Sequence, residues 1–170
     1  MRKQNKLFIA VISTALFFLF SISGCTKTTA VEVDESGYLG TYYGQHFLAD
    51  STTLRVIVGA SAVMVYDDTL LVTNGGSTTD GKVKAKSSLL GGNTIEIDVT
   101  TGIVTPVFLG DVYILSTTLK NVKFNTGSTA TWNAAKTNVT THLNASVNYD
   151  FGGTLIPLTP VIINGVFVKQ

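Results

Sequence analysis

The stretch NVTTHLNASVNYDF, Asn138 to Phe151, alternates with period two along its whole length. Val139, Thr141, Leu143, Ala145, Val147, Tyr149 and Phe151 occupy one set of alternate positions. Asn138, Thr140, His142, Asn144, Ser146, Asn148 and Asp150 occupy the other. Successive side chains of a strand point to opposite faces, so this spacing predicts one strand with a buried face and a polar face. At about 14 residues it is long for a strand, and it should curve and cross the whole domain.

The same period recurs on both sides of it. Leu54, Val56 and Val58 share a face, as do Ile95, Ile97 and Val99, and Val122 with Phe124. Val83 and Ala85 alternate with Lys82, Lys84 and Lys86, a strand whose outer face is blunted by lysine. The folded region opens at Gly37 to Gly44, an aromatic and glycine strand leading into Phe47 and Leu48. Breakers separate the runs: Asn74-Gly75-Gly76, Asp80-Gly81, Gly91-Gly92-Asn93, Thr101-Gly102, Asn125-Thr126-Gly127 and Gly152-Gly153. Asp67-Asp68 reads as a turn or bulge between Val63–Tyr66 and Thr69–Leu71. Asn164-Gly165 reads as a two-residue hairpin turn between Val161–Ile163 and Val166–Val168.

Composition points the same way. Charged residues are 14% of the chain, Glu occurs only at Glu32, Glu35 and Glu96, and Pro only at Pro106, Pro157 and Pro160. A salt-bridged helical surface cannot be written with so few charges. The expected fold is all-β, a single antiparallel meander β-barrel of about 8–10 strands, with a β-sandwich as the alternative. Pairing of the last strand, Val166 to Lys169, with the opening strand, Tyr38 to Phe47, would close such a barrel and remove the edges that invite aggregation.

The leader has a different character. Arg2, Lys3 and Lys6 precede an apolar run from Leu7 to Ile22, shorter than the roughly 20 residues a spanning helix needs. The run ends in Ile22-Ser23-Gly24-Cys25, which resembles the bacterial lipobox. The resemblance implies cleavage before Cys25 and diacylation of its sulfur. Each buried methylene is worth about 0.8 kcal/mol, so two or three acyl chains make a lasting anchor. On this reading residues 1–24 are a lipoprotein signal peptide, 25–36 a lipidated cysteine with a flexible tether, and 37–170 the barrel domain. The protein then belongs in the cell envelope on the outer membrane, on its periplasmic or its surface face. Glu32, Asp34 and Glu35 loosely resemble the acidic stretch that marks surface export in some Bacteroidetes-like lipoproteins.

Removing the leader leaves nine of the 12 Lys and Arg against 11 Asp and Glu, a balance that argues against nucleic acid as a partner. Cys25 is the only cysteine, so no disulfide can form within the chain.

Gly40-Thr41-Tyr42-Tyr43-Gly44, Leu109-Gly110-Asp111-Val112-Tyr113-Ile114 and Asn164-Gly165-Val166-Phe167-Val168 together resemble the lipocalin- or calycin-like β-barrels of Bacteroidetes lipoproteins. That resemblance implies a barrel over residues 37–170. The chain departs from true lipocalins in its first strand, which has no Gly-x-Trp, its one tryptophan being Trp132 far downstream.

Catalytic patterns are sparse. Gly59-Ala60-Ser61-Ala62-Val63 ends in Val where a nucleophile elbow needs Gly. His46 and His142 are the only histidines and have no partner at metal spacing, so no metal or cofactor is expected. Asp67 and Asp68, if they lie in a strand, point to opposite faces and cannot share a proton. Gly75 to Asp80 resembles a calcium nonapeptide repeat but lacks its third glycine and occurs once.

Two features suit binding. Asn138, Thr140, Asn144, Ser146 and Asn148 offer the neutral donors and acceptors a sugar would take, and Tyr38, Tyr42, Tyr43, Phe47 and Trp132 offer aromatic faces. The plain alternatives are solvent surface for the first set and core for the second. Tyr42, Tyr43, Trp132 and His142 are the candidate ligand contacts. The expected function is a lipid-anchored, non-catalytic envelope protein holding a small apolar molecule or a glycan. The alternative is a structural or adhesive protein assembling by strand pairing.

Overall fold

A computed structural model describes residues 32–48, 64–76, 80–114 and 117–170. Glu32–Gln170 form one folded unit. The signal peptide, Cys25, the Leu54 to Val58 run and the Gly59 to Val63 motif lie outside the described residues.

The alternating runs become nine antiparallel strands, and among the described residues there is no α-helix, only a 3-10 turn at Ser36–Tyr38. The strands are β1 (Gly40–Leu48), β2 (Met64–Asn74), β3 (Lys82–Ser87), β4 (Thr94–Asp98), β5 (Phe108–Ile114), β6 (Thr117–Phe124), β7 (Thr129–Trp132), β8 (Asn138–Phe151) and β9 (Thr154–Lys169). They form a single sheet in the order β4-β3-β2-β1-β9-β8-β6-β5, with β7 on β8, curled into a half-barrel. First and last strands meet as expected, from Tyr42 opposite Lys169 to Leu48 opposite Ile163.

β8 is the spine. One edge pairs with β9, from Asn138 opposite Val168 to Phe151 opposite Thr154. Its other edge is shared, β7 taking Val139 to His142 and β6 taking Ala145 to Tyr149. β6 and β7 are therefore one path interrupted at 125–128. A second interrupted path runs from Ile103 into β5. Its first residues bridge β4 to β7, through Ile97 opposite Val104 and Ile103 opposite Thr129. Thr105 N–H donates to the Glu96 carbonyl (2.9 Å) and Val104 N–H to the Ser128 carbonyl (3.0 Å). These bridges tie the β4 end of the sheet to β7, and among the described residues β5 pairs with β6 alone. The pairing of β5 with β6 is broken by register shifts at Gly110, whose φ is +81°, and β5 carries the exposed Asp111. A bulge and a charge both discourage pairing with another chain.

The predicted faces of β8 appear in the burial. Val139, Thr141, Leu143, Ala145 and Val147 are buried, while Asn138, Thr140 and His142 are exposed. Phe151 is 68% exposed because the β8–β9 hairpin runs past the sheet that would cover it. Val83 and Ala85 point inward from β3 and its lysines outward. The interior is filled by side chains, with Tyr42, Phe124, Phe167, Leu90, Ile95, Ile97, Leu143 and Leu158 among the largest fully buried.

Two turn readings are corrected. Asp67 and Asp68 lie inside β2, with Gln45 opposite Asp67 and Gly44 opposite Asp68. A carboxylate is tolerated there because Asp68 finds hydrogen-bond donors nearby. Asn164 and Gly165 lie inside β9, a strand of 16 residues. Gly165 serves close packing rather than a turn: a Cβ there would stand 2.5 Å from both Thr141 Oγ1 and Phe167 Cε2.

The 3-10 turn is tied to β1 and β9 by side-chain hydrogen bonds. The Tyr42 hydroxyl donates to the Tyr38 carbonyl at 2.8 Å, with the Lys136 carbonyl at 3.1 Å, and Lys169 Nζ donates to the Gly37 carbonyl at 2.9 Å. Glu35, in the stretch that reads as tether, is buried and accepts the Lys82 N–H at 3.0 Å, so the end of that stretch belongs to the folded unit.

Candidate functional site

The four aromatic and histidine candidates separate into two pairs. Tyr42 is fully buried, and Trp132 Nε1 donates to its hydroxyl at 3.2 Å. Trp132 also meets the Tyr38 ring edge-on, with centroids 5.3 Å apart. Burial pushes the Tyr42 hydroxyl above its ordinary pKa, against the opposing effect of the Trp132 hydrogen bond. Tyr42 and Trp132 are thus one buried cluster. Tyr43, the next residue, points outward and is 51% exposed. His142 is also exposed, its Nδ1 2.7 Å from Asn164 Oδ1.

Residues directly opposite one another in antiparallel strands share a face, so the register defines what stands beside Tyr43. One outer row runs Thr69, Tyr43, Val168, Asn138, and the next Asp67, Gln45, Val166, Thr140, Thr131. A third runs Phe47, Asn164, His142, Thr129. The start of the polar row of β8 and the exposed tyrosine of β1 therefore lie on one continuous surface. Beside Tyr43 that surface is indented by a shallow cavity of about 470 Å³, lined by Tyr43, Gly44, Gln45, Asp67, Asp68, Thr69 and Ser88. Gln45 Nε2 donates to Asp67 Oδ1 at 3.0 Å, which holds both side chains in place at its rim.

The back wall of the cavity is set from inside the sheet. Asp68 Oδ1 accepts from the Thr69 N–H (2.7 Å), the Ser88 hydroxyl (2.6 Å) and the Leu89 N–H (2.9 Å). Oδ2 accepts from the Ser87 hydroxyl (2.6 Å). His46 Nδ1 stands 3.0 Å from Oδ2, in contact but outside hydrogen-bond geometry. Burial by itself would raise the Asp68 pKa. The contacts from His46, Ser87, Ser88 and Leu89 outweigh it and hold the carboxyl well below the usual range.

This hub escapes a reading for motifs, since its members lie on three segments with no shared spacing. Its sequence signal is Tyr42-Thr41 alternation continued through Gly44 and His46, which places a glycine and a histidine on the inner face. Glycine in a strand marks a close approach, and a Cβ at Gly44 would overlap the Val166 carbonyl and the Phe167 ring. Among the described residues no group of three or more His, Cys, Asp or Glu side chains is placed to hold a metal. No family model and no curated protein matches the chain.

Proposed function

We propose that the protein is a lipid-anchored, non-catalytic binding module of the cell envelope, and that it holds a glycan on the outer face of β2, β1, β9 and β8. The observation that carries this reading is the cavity beside Tyr43, where an exposed aromatic ring stands next to Gln45, Asp67, Thr69 and Ser88. An aromatic face stacks on the apolar side of a sugar ring, while amide, carboxylate and hydroxyl groups take its hydroxyls. Asn138 and Thr140 extend the same chemistry two strands away. A small apolar ligand within the sheet finds less support, because the inner face is occupied by the protein's own buried side chains. Assembly by strand addition finds less support, because the first and last strands, β1 and β9, pair with each other.

Titration of the domain with a panel of neutral oligosaccharides tests the ligand class. At least one should bind, and Tyr43→Ala should weaken it by about tenfold or more, a loss of about 1.4 kcal/mol. Binding of a fluorescent fatty acid that Tyr43→Ala leaves unchanged, with no oligosaccharide bound, would overturn it. Anchoring is tested separately: Cys25→Ser should abolish labelled palmitate incorporation and leave an uncleaved precursor. Continued cleavage and membrane fractionation of that variant would refute the lipobox reading.

A further inference from the structure

Granted the glycan reading of the outer face, on which this rests, we propose that the cavity beside Tyr43 selects an amino sugar, whose ammonium group sits between the Tyr43 ring and the Asp67 carboxylate. The charge of the lining decides the sign. Of the residues that border the cavity only Asp67 and Asp68 are charged, and neither lysine nor arginine is among them. Lys86 stands one row beyond Thr69, opposite Leu71, and the Lys169 ammonium is taken up by the Gly37 carbonyl. An acidic sugar entering here would meet like charge, and a neutral one would cover the carboxylates without supplying a countercharge.

Asp67 is exposed, and its Oδ1 accepts from Gln45 Nε2 at 3.0 Å, which fixes the carboxylate at the rim. Among the described residues its Oδ2 has no donor, so that oxygen can accept from an ammonium N–H. Behind it, despite burial, Asp68 is kept ionised by its contacts with His46, Ser87, Ser88 and Leu89. It adds negative potential at the back wall without having to touch the ligand. The Tyr43 ring is 51% exposed, and a cation within about 6 Å of such a ring face is attracted to it. Gln45, Thr69 and Ser88 are neutral and suit hydroxyls, which favours an amino sugar over a lysine-rich peptide.

Calorimetric titration of the protein with a short chitosan oligosaccharide and with its fully N-acetylated counterpart tests this, because the two differ only at the amine. The free amine should bind about fivefold or more tightly at low salt, and Tyr43→Ala should weaken both ligands. Raising the salt to about 0.5 M should bring the two affinities together. Asp67→Asn keeps the shape of the side chain and removes its charge, so the preference for the amine should fall toward one, whereas Asp67→Glu should retain it. Equal affinities, or a preference that survives Asp67→Asn, would overturn the amine assignment and leave the glycan reading standing. Binding of neither sugar would remove the glycan reading and this assignment with it. Oligolysine bound in their place would give the cavity to a cationic peptide.

Discussion

Tyr42 and Tyr43 are neighbours on β1, one fully buried and the other 51% exposed. On the inner side of that strand, Tyr42, Gly44 and His46 meet Trp132, Asp68 and Phe167 in close contact. On the outer side, Tyr43 and Gln45 border a shallow cavity with Asp67 and Thr69. The two faces use similar residue types for different ends. Inside, polar groups are cut off from bulk solvent, and the hydrogen bonds of Asp68 and Tyr42 specify the packing. Outside, the polar groups exchange partners with solvent at little cost, which leaves them available to a ligand.

Substitutions on the two faces should therefore separate by size, and the largest losses belong inside. Leu143→Asp places an unpaired charge in the core beneath β8 and should cost roughly 4 kcal/mol or prevent folding, read by chemical denaturation. Asp68→Ala strands the donors of Ser87, Ser88, Thr69 and Leu89 together with a buried histidine, and should cost about 3–5 kcal/mol. A loss below about 1 kcal/mol would mean that the hub is solvated and that the two faces do not differ as described.

Acid sharpens the same contrast. The Asp68 pKa is lower in the folded state than in the unfolded chain, where it lies near 4. Its contribution is therefore complete above about pH 4 and is lost as pH falls toward the folded value. Denaturation at a series of pH values should show wild-type stability declining below about pH 4, with a shallower decline in Asp68→Ala. The slope will not vanish in the variant, because Asp98 and Asp111 are lowered too, each chiefly by a backbone N–H donor.

Tyr42→Phe removes only the hydroxyl shared by Tyr38, Lys136 and Trp132, and should cost about 1–2 kcal/mol. Smallest are the outer-face changes. Tyr43→Ala and Thr140→Asp should each alter stability by no more than about 0.5 kcal/mol, while Tyr43→Ala should weaken the proposed sugar binding. A stability loss at Tyr43 as large as that at Tyr42→Phe would assign it to the packing and remove the case for a ligand there.

Much of this architecture is visible in the spacing of residues. The period-two pattern of Asn138 to Phe151 predicts the length of β8 and its buried positions down to Val147, because strand geometry leaves alternate side chains no choice of face. The meeting of first and last strands follows from the need to cover two edges. Asn164-Gly165 and Asp67-Asp68 misled for one common reason. Both carry the local chemistry of turns, and in both a tertiary contact outweighs it: Thr141, Phe167 and His46 crowd Gly165, and the Ser87 to Leu89 segment supplies donors to Asp68. Trp132 is the converse case, since its distance from the first strand in sequence hides its hydrogen bond to Tyr42.

The β class, the long spine strand and the alternation of its faces are consequences of local geometry repeated along the chain. Which residues share a row was decided only by the tertiary structure. The division of Tyr42 and Trp132 from Tyr43 and His142, and the gathering of His46, Asp68, Ser87 and Thr141, depend on cross-strand register between segments far apart in sequence, where a shift of one residue would exchange the inner face for the outer.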